Sequence, residues 1–444
     1  MSGAGSDRPR ASRPGPAASP PGWDGLTSQR GTELLASAAA MRAAGDSLDR
    51  VGQRLRRDGA APDELAAVLT ATALREKAAP KFGADARAML FTQAGLEQAS
   101  RLPVAELHAL RFAGANAVAD LGCGLGAESL AFLRAGLAVR AVELDPLTAD
   151  FAAHNLSVEA ASMRAGGDGA PTHDVLTGDA TELGAGSADA VFLDPARRTA
   201  GHRDTRRLAS SDDYSPSLDF AFGAARAARF GGVKLGPGLD RELIPDDAEA
   251  QWVSVDGQVV EMGLWFGDAA RPGIRRSAAV LRRDAGLAGA RAATAGDAAA
   301  SSGAPVWHEL SAAADFPDAD TRDLSEYLIE PDGAVIRARL IGKLAAELDA
   351  GMIHDGIAYL TADHATPTPF GQVFRILEEL PAREKDLKRA LAARGIGRLE
   401  IKKRGVDVDP AALRTRLRLK GAGAATLILS RSANRHIALL AERC

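Results

Sequence analysis

The sequence predicts an α/β protein with a mainly parallel sheet that ends in antiparallel strands, preceded by a small helical region and followed by an α+β domain. After residue 116, short apolar runs alternate with helical segments of about ten to fifteen residues, which is typical of βαβ units. An Asp-Gly pair then separates two strand-like runs, which predicts a hairpin. At about 150 residues per domain, the 444 residues fit roughly three structural units.

The elements are predicted as follows, in chain order. Residues 1–30 hold five prolines among Ser, Gly and Ala and offer little apolar surface to bury, so we expect a disordered tail. Residues 31–114 carry apolar side chains at helical spacing and form the helical region. Residues 115–284 form the sheet domain, with strands at 117–121, 138–144, 190–193 and 232–235 and a hairpin of 252–255 with 259–266.

The last third of the chain is predicted to hold a linker and a second α+β domain. Residues 285–324 are the linker, since up to Pro305 they are nearly all small residues. Residues 325–444 form the α+β domain, with strand-like pieces at 334–341 and 424–429 and a helix at 381–394.

Composition limits the classes of function. The 46% hydrophobic and 25% charged residues are ordinary globular values and exclude a collagen-like fibre or a coiled-coil rod. Cys123 and Cys444 are too few for a disulfide framework or a thiolate zinc site. No stretch approaches the roughly 18 apolar residues of a membrane span, and no secretory signal pattern begins the chain, so we expect a cytoplasmic protein without metal.

The charge distribution is uneven. The net charge is -4, yet residues 381–420 hold thirteen Lys or Arg against five Asp or Glu, a local balance of +8. This excess predicts an anionic partner for the last domain.

A glycine-rich turn is the sharpest motif. Asp120-Leu121-Gly122-Cys123-Gly124-Leu125-Gly126 directly follows a predicted strand and opens a helix. Glycine permits a tight turn and close approach of the backbone to a ligand, although a plain turn between strand and helix has the same pattern. Glu143 ends the next strand about twenty residues later, where a carboxylate can accept both ribose hydroxyls of a nucleoside.

These motifs resemble the class I S-adenosylmethionine-dependent methyltransferases over residues 88–283. The resemblance implies a Rossmann-like sheet and S-adenosyl-L-methionine as cofactor. It assigns Asp120 and the backbone of Gly122, Gly124 and Gly126 to the methionine end, and Glu143 to the ribose. Asp179, in Gly178-Asp179-Ala180, is assigned to the adenine amine. A nicotinamide dehydrogenase is a distant alternative, since its glycines are more typically spaced G-x-G-x-x-G.

Asp194-Pro195-Ala196-Arg197 ends the fourth strand, where the family places its chemistry, so the resemblance makes Asp194, Pro195 and Arg197 the catalytic candidates. Amino-methyltransferases of bases have a second proline and an aromatic residue where this chain has Ala196 and Arg197. The motif is also similar to that of uridine C5 methyltransferases, which need a cysteine nucleophile. Cys123 and Cys444 are poorly placed for that role, so we expect direct attack of a substrate nitrogen or oxygen on the methyl group.

Two basic regions are candidates for substrate binding. Arg198 and Arg203 lie in an arginine-rich segment after the fourth strand, where they can bind phosphate and Tyr214 can stack on a base. A solvated loop is the alternative there. Lys402, Lys403 and Arg404 belong to the last domain. That domain resembles the THUMP-like domain fused behind methyltransferase domains in a bacterial family, which implies structured RNA, such as transfer or ribosomal RNA, as partner.

The sequence therefore predicts a methyltransferase that uses S-adenosylmethionine to modify a base in structured RNA. Two alternatives stay open: a methyltransferase for a protein or small molecule, and an RNA-binding protein whose methyltransferase fold does not turn over. The target base, the RNA species and the oligomeric state are left open by the sequence.

Overall fold

A computed structural model describes residues 19–167, 169–197, 211–282, 306–432 and 435–444. Predictions for residues 1–18 and for the linker up to residue 305 thus lie outside the described residues. The described chain forms two units, residues 19–197 with 211–233, and residues from 234 onward. No helix in these ranges is long and apolar enough to cross a membrane.

Helices precede the first strand, as the periodicity predicts: α1 (Gln29–Ala43), α2 (Leu48–Arg57), α3 (Pro62–Phe82), α4 (Gln93–Gln98) and α5 (Leu102–Ala109). Ser28 begins α1 by accepting a hydrogen bond from the Gly31 N–H. The segment before it is packed, because Leu26 is buried and Trp23 stacks on Phe151 at 5.8 Å between ring centroids. The structure thus differs from the predicted disordered tail at residues 19–30, since these two side chains supply apolar surface to bury.

The chain continues as β1 (Ala117–Leu121), α6 (Ala127–Arg134), β2 (Ala138–Glu143), α7 (Pro146–Ala165), β3 (His173–Thr177), α8 (Ala180–Leu183), β4 (Ala190–Leu193), β5 (Ala196–Arg197), β6 (Tyr214–Ser215), α9 (Leu218–Ala227) and β7 (Phe230–Leu235). Five of these strands pair in parallel in the order β7-β4-β1-β2-β3. Strands β5 and β6 form a separate antiparallel ribbon. The carboxyl ends of β4, β1 and β2 consequently lie side by side at one edge.

A buried asparagine joins the helical region to this sheet. Asn155 lies on α7 and is only 1% exposed. Its Oδ1 accepts from the Leu90 N–H at 2.7 Å, and its Nδ2 donates to the carbonyls of Leu90 at 3.1 Å and Leu125 at 3.0 Å. The segment before α4 and the glycine-rich turn are therefore held by one side chain.

The second unit begins with β8 (Glu249–Val255), β9 (Gln258–Gly267), β10 (Arg276–Arg282) and β11 (Val306–Ala312). The predicted hairpin is confirmed: β8 and β9 are antiparallel, and Asp256 and Gly257 have φ of +50° and +82°, as a tight hairpin turn requires. Strand β10 pairs in parallel with β8 and antiparallel with β11. Part of the predicted linker is thus a strand, because it pairs with β10 along its whole length.

The remaining elements are β12 (Tyr327–Pro331), α10 (Gly333–Arg337), α11 (Ile341–Leu348), β13 (Gly351–Met352), β14 (Leu360–Ala362), β15 (Gly371–Leu380), α12 (Glu384–Ala393), β16 (Ile396–Lys403), α13 (Pro410–Leu417), β17 (Gly423–Ser432) and β18 (Arg435–Arg443). Their strands form a mixed sheet in the order β13-β14-β12-β15-β18-β17-β16. Leu387 and Leu391 of α12 and Leu413 of α13 pack into an apolar cluster with Leu427 and Leu440 of the sheet.

The prediction of a strand-like piece at residues 334–341 is wrong, because Asp332 starts a helix there. Its Oδ1 accepts from the Ala334 N–H at 2.9 Å, which caps α10. Its Oδ2 accepts from Ser254 Oγ at 3.0 Å and lies 3.3 Å from Arg282 Nη2. This buried carboxylate joins α10 to β8 and β10, so these strands belong to one unit with the C-terminal residues.

We predict that Asn155→Ala destabilises the first unit by about 2–4 kcal/mol, because it leaves one buried N–H and two buried carbonyls without partners. Thermal unfolding followed by circular dichroism measures the change. Asn116→Ala is the matched control, since Asn116 is exposed and, among the described residues, its side chain bonds only the Asp189 carboxylate, at 3.2 Å. Equal unfolding midpoints for the two variants would contradict the role assigned to Asn155.

Candidate functional site

The glycine-rich turn has the backbone that its sequence predicts. Gly122, Gly124 and Gly126 have φ of +92°, +55° and +80°. Residues with a side chain are strained at such positive φ angles, whereas glycine is not. The N–H groups of Gly122 and Cys123 both donate to the Val142 carbonyl, at 2.8 and 3.0 Å. A Cβ added at Gly124 would meet no atom within 4 Å, so the turn presents open backbone to a ligand.

Asp120 lies at the end of β1 and is buried. Its Oδ2 accepts from Ser129 Oγ at 2.5 Å. This bond joins the end of β1 to the first turns of α6 and positions the glycine turn between them. Sequence reasoning missed Ser129, because a serine inside a helix has no pattern of its own. That Asp120 contacts the methionine end of a cofactor stays a prediction.

Glu143 places a carboxylate beside the turn. Its Oε2 accepts from the Gly124 N–H at 3.0 Å, and its Oε1 accepts from the Asp145 N–H at 2.9 Å. Burial raises the pKa of Glu143, and the backbone donors Asp145 and Gly124 oppose that rise. The two predicted site residues Gly124 and Glu143 are thus brought together by a direct contact.

Leu144 follows Glu143 in the chain and exposes 56% of its surface. Sequence reasoning did not single it out. Asp179 lies at the start of α8, where its Oδ1 accepts from the Thr181 N–H at 2.9 Å and from Thr181 Oγ1 at 2.7 Å. The structure gives Asp179 a capping role, and its contact with an adenine amine stays a prediction.

Asp194 follows β4 directly and is half-buried, and Pro195 is buried. The Asp194 carbonyl oxygen lies 3.8 Å from the position that a Cβ on Gly122 would take. The β4 end, the glycine turn and the β2 end therefore meet at one edge of the sheet, as the motif order predicts. Arg197 is exposed and pairs with Tyr214 in the ribbon of β5 and β6.

The prediction that Tyr214 stacks on a base is wrong, because its side chain is packed inside the unit. Tyr214 is only 6% exposed, and burial raises the pKa of its hydroxyl. The predicted phosphate ligands Arg198 and Arg203 lie outside the described residues.

The basic residues at the end of β16 differ in whether an acidic side chain lies close to them. Lys402 Nζ lies 2.7 Å from Glu330 Oε2, and Arg404 Nη2 lies 3.6 Å from Glu330 Oε1. Lys403 is exposed. The sequence prediction of one continuous basic surface therefore needs correction, because Glu330 on β12 neutralises part of it.

Covalent catalysis by cysteine finds no support at this site. Burial raises the pKa of the Cys123 thiol well above its usual value, and Asp120 and Glu143 raise it further. The thiol stays protonated and is a poor nucleophile. Within the described ranges, no three His, Cys, Asp or Glu side chains are grouped to hold a metal ion.

This arrangement suits binding of a nucleoside-containing cofactor. The Glu143 carboxylate can accept ribose hydroxyls, Leu144 offers an exposed apolar side chain to a base, and the open backbone at Gly124 allows close approach of the rest of the cofactor. Asp194 adds a polar group at the neighbouring strand end.

Comparison with known proteins agrees with this geometry. The chain is 35% identical over 370 residues to an uncharacterized S-adenosylmethionine-dependent methyltransferase of Mycobacterium tuberculosis, in strains CDC 1551 / Oshkosh and ATCC 25618 / H37Rv. The match covers 81% of this chain and 91% of that protein. Residues 371–443 match the family described as THUMP domain-like, and residues 21–78 match a domain of unknown function, DUF8688.

A solved structure shares the fold. The crystal structure of a protein from Porphyromonas gingivalis W83, assigned as a methyltransferase, superposes with a TM-score of 0.68 at 21% identity. The superposition covers 93% of this chain and 98% of the Porphyromonas gingivalis chain. Together with the identity to the mycobacterial relatives, this places the chain in the S-adenosylmethionine-dependent methyltransferase family, with a class I fold and a C-terminal THUMP-like domain.

Proposed function

We propose that this protein transfers a methyl group from S-adenosylmethionine to a base in structured RNA, such as transfer or ribosomal RNA. The observation that carries the proposal is that Glu143 and Asp194 both lie against the glycine turn, in a chain with a THUMP-like domain. The residues at the glycine turn support methyl transfer, and the THUMP-like domain supports RNA as the acceptor.

The residues present fit the cofactor. Glu143 has two oxygens that can accept the ribose hydroxyls, and its contact with the Gly124 N–H fixes it against the turn. The exposed face of Leu144 offers an apolar surface for the adenine ring. Open backbone at Gly124 leaves room for the methionine end, because no side chain fills that space.

Asp194 is the proposed catalytic residue. S-adenosylmethionine supplies an electrophilic methyl group on a positively charged sulfur. The Asp194 carboxylate, at the β4 end, is placed to orient a substrate N–H or O–H and to accept its proton. Pro195 fixes the backbone after it, and exposed Arg197 is available to a phosphate.

The acceptor is proposed from the last domain. Lys403 remains exposed at the end of β16, whereas Lys402 and Arg404 share Glu330. A lysine of this kind neutralises phosphate without reading the base sequence. The base is then selected at the Asp194 edge rather than by the THUMP-like domain.

Binding of S-adenosylhomocysteine should weaken as the pH falls through the raised pKa of Glu143. The charged carboxylate accepts the ribose hydroxyls, and protonation removes acceptor capacity at a pH above the ordinary glutamate range. Calorimetric titration should show this dependence in the wild type. Glu143→Gln should bind about 100-fold more weakly at neutral pH and lose the dependence, since it has no titrating group.

The control for this titration is Glu182→Gln, which changes an exposed glutamate of α8. It should keep both the affinity and the pH dependence of the wild type. Wild-type affinity in Glu143→Gln would remove Glu143 from the ribose site.

The central test is transfer of labelled methyl from S-adenosylmethionine to total RNA from a strain lacking this gene, whose sites are unmodified. The wild type should label RNA, and Asp194→Asn should reduce the rate about 100-fold or more, because a positioned proton acceptor is lost. Digestion of the RNA to nucleosides then identifies the base. Asp174→Asn, an exposed aspartate of β3, is the matched control.

Absence of label in RNA, with S-adenosylhomocysteine binding intact, would overturn the proposed acceptor. Protein and small-molecule fractions of the same strain then test the alternative substrates. Equal rates for Asp194→Asn and the control would remove Asp194 from catalysis.

A further inference from the structure

A cavity of about 570 Å³ lies in the second unit, and its lining residues all follow position 236 in the chain. It is lined by four arginines, Arg241, Arg337, Arg339 and Arg404, with Trp252 and Val259 among its apolar residues. Its volume is within the range of about 300–1,000 Å³ typical of ligand sites. We call it the arginine pocket.

The charge of this pocket is only partly neutralised. No Asp or Glu lines it among the residues that the structure describes. Arg241 Nη2 lies 2.7 Å from Asp315 Oδ2, and Arg339 Nη1 lies 4.0 Å from Asp318 Oδ2.

The remaining two arginines are less compensated. Arg404 shares Glu330 with Lys402, at 3.6 and 2.7 Å. Arg337 donates to the Pro237 carbonyl at 3.0 Å and forms no ion pair within the described ranges. An excess of positive charge therefore faces the cavity.

Arg339 adopts a backbone conformation that is uncommon for an arginine. Arg339 follows the last residue that caps α10 and has a φ of +58°, a left-handed position that glycine usually occupies. An arginine there strains the backbone, and such strain is typical of functional positions.

Trp252 and Arg241 are held in the pocket wall by direct contacts. Trp252 is buried, and its Nε1 donates to the Pro237 carbonyl at 3.3 Å. The Arg241 guanidinium lies 6.0 Å from the centre of the Trp252 ring, which holds it over an apolar surface. Guanidinium groups held in this way bind phosphate oxygens through paired N–H donors.

We propose that the arginine pocket binds the phosphodiester backbone of the RNA substrate, an inference that rests on the proposed function. Phosphate is the chemistry that the four guanidiniums recognise, and a polynucleotide or a free nucleotide can supply it. The RNA is favoured because Arg404 belongs to the THUMP-like match at residues 371–443. The pocket thus extends the RNA-binding surface from this domain to Arg241, Arg337 and Arg339.

The test is binding of a fluorescein-labelled, unmodified transfer RNA transcript over a range of salt concentrations. Arg337→Glu with Arg339→Glu should weaken binding at least about tenfold and reduce the slope of log affinity against log salt by about 1.5, because two phosphate contacts are lost. The matched control is Arg50→Glu with Arg54→Glu, two exposed arginines of α2 with the same charge change. Equal loss in the control would overturn the proposal, because the effect would then follow net charge.

Arg339→Gly separates binding from folding. It removes the guanidinium and relieves the left-handed strain, so RNA affinity should fall while the unfolding temperature stays level or rises. S-adenosylhomocysteine affinity should be unchanged in every variant, which verifies that the protein is folded. Unchanged RNA affinity in Arg339→Gly and in the double variant would overturn the pocket.

Two further outcomes keep this inference distinct from the proposed function. Suppose that the wild type methylates RNA and that the pocket variants keep the wild-type RNA affinity and salt dependence. The proposed role of the pocket is then overturned, and the proposed function stands. If the wild type neither binds nor methylates RNA, both the proposed function and the proposed role of the pocket are overturned. Competition by inorganic pyrophosphate as strongly as by unlabelled transfer RNA at equal phosphate concentration would assign the pocket to small phosphates instead.

Discussion

The left-handed backbone at Gly122, Gly124 and Gly126 is the constraint on which the site depends. It lets the chain turn from β1 into α6 while the N–H of Gly124 points to the Glu143 carboxylate. Asp120 and Ser129 close the turn from inside, and Asn155 holds its far end through the Leu125 carbonyl. A side chain at these glycines would strain the turn, and the distances among strand ends would change with it.

Buried carboxylates join segments in both units. In the second unit, Glu249 is fully buried on β8, where it accepts from the Arg271 N–H at 2.9 Å and from Ser277 Oγ at 3.1 Å. Arg271 Nη2 lies 2.6 Å from the same carboxylate. Asp332 has the same function between α10, β8 and β10. A buried charge is tolerated only when it is paired and hydrogen-bonded, so each of these groups requires the segments that surround it.

Pairing inside the second unit also decides which cations can meet a substrate. The excess of +8 over residues 381–420 is a property of composition. In the fold, Arg394 pairs with Glu378 at 2.5 Å and Lys402 with Glu330 at 2.7 Å, and both carboxylates lie outside this segment. A local charge balance therefore overstates the free basic surface, because acidic partners come from distant positions in the chain. Positive charge is less fully paired in the arginine pocket, where four arginines and no Asp or Glu of the described residues form the lining.

The sequence by itself determined four of the five parallel strands, though not β3, together with the glycine turn, the position of Glu143 and the hairpin at Asp256-Gly257. These features depend on local periodicity and on backbone conformations that particular residues favour. Only the tertiary structure decided that Tyr214 is buried, that Asn155 holds the turn and that Glu330 neutralises Lys402. Each of these outcomes depends on a partner far away in the chain, and a pattern of neighbouring residues contains no information about such a partner.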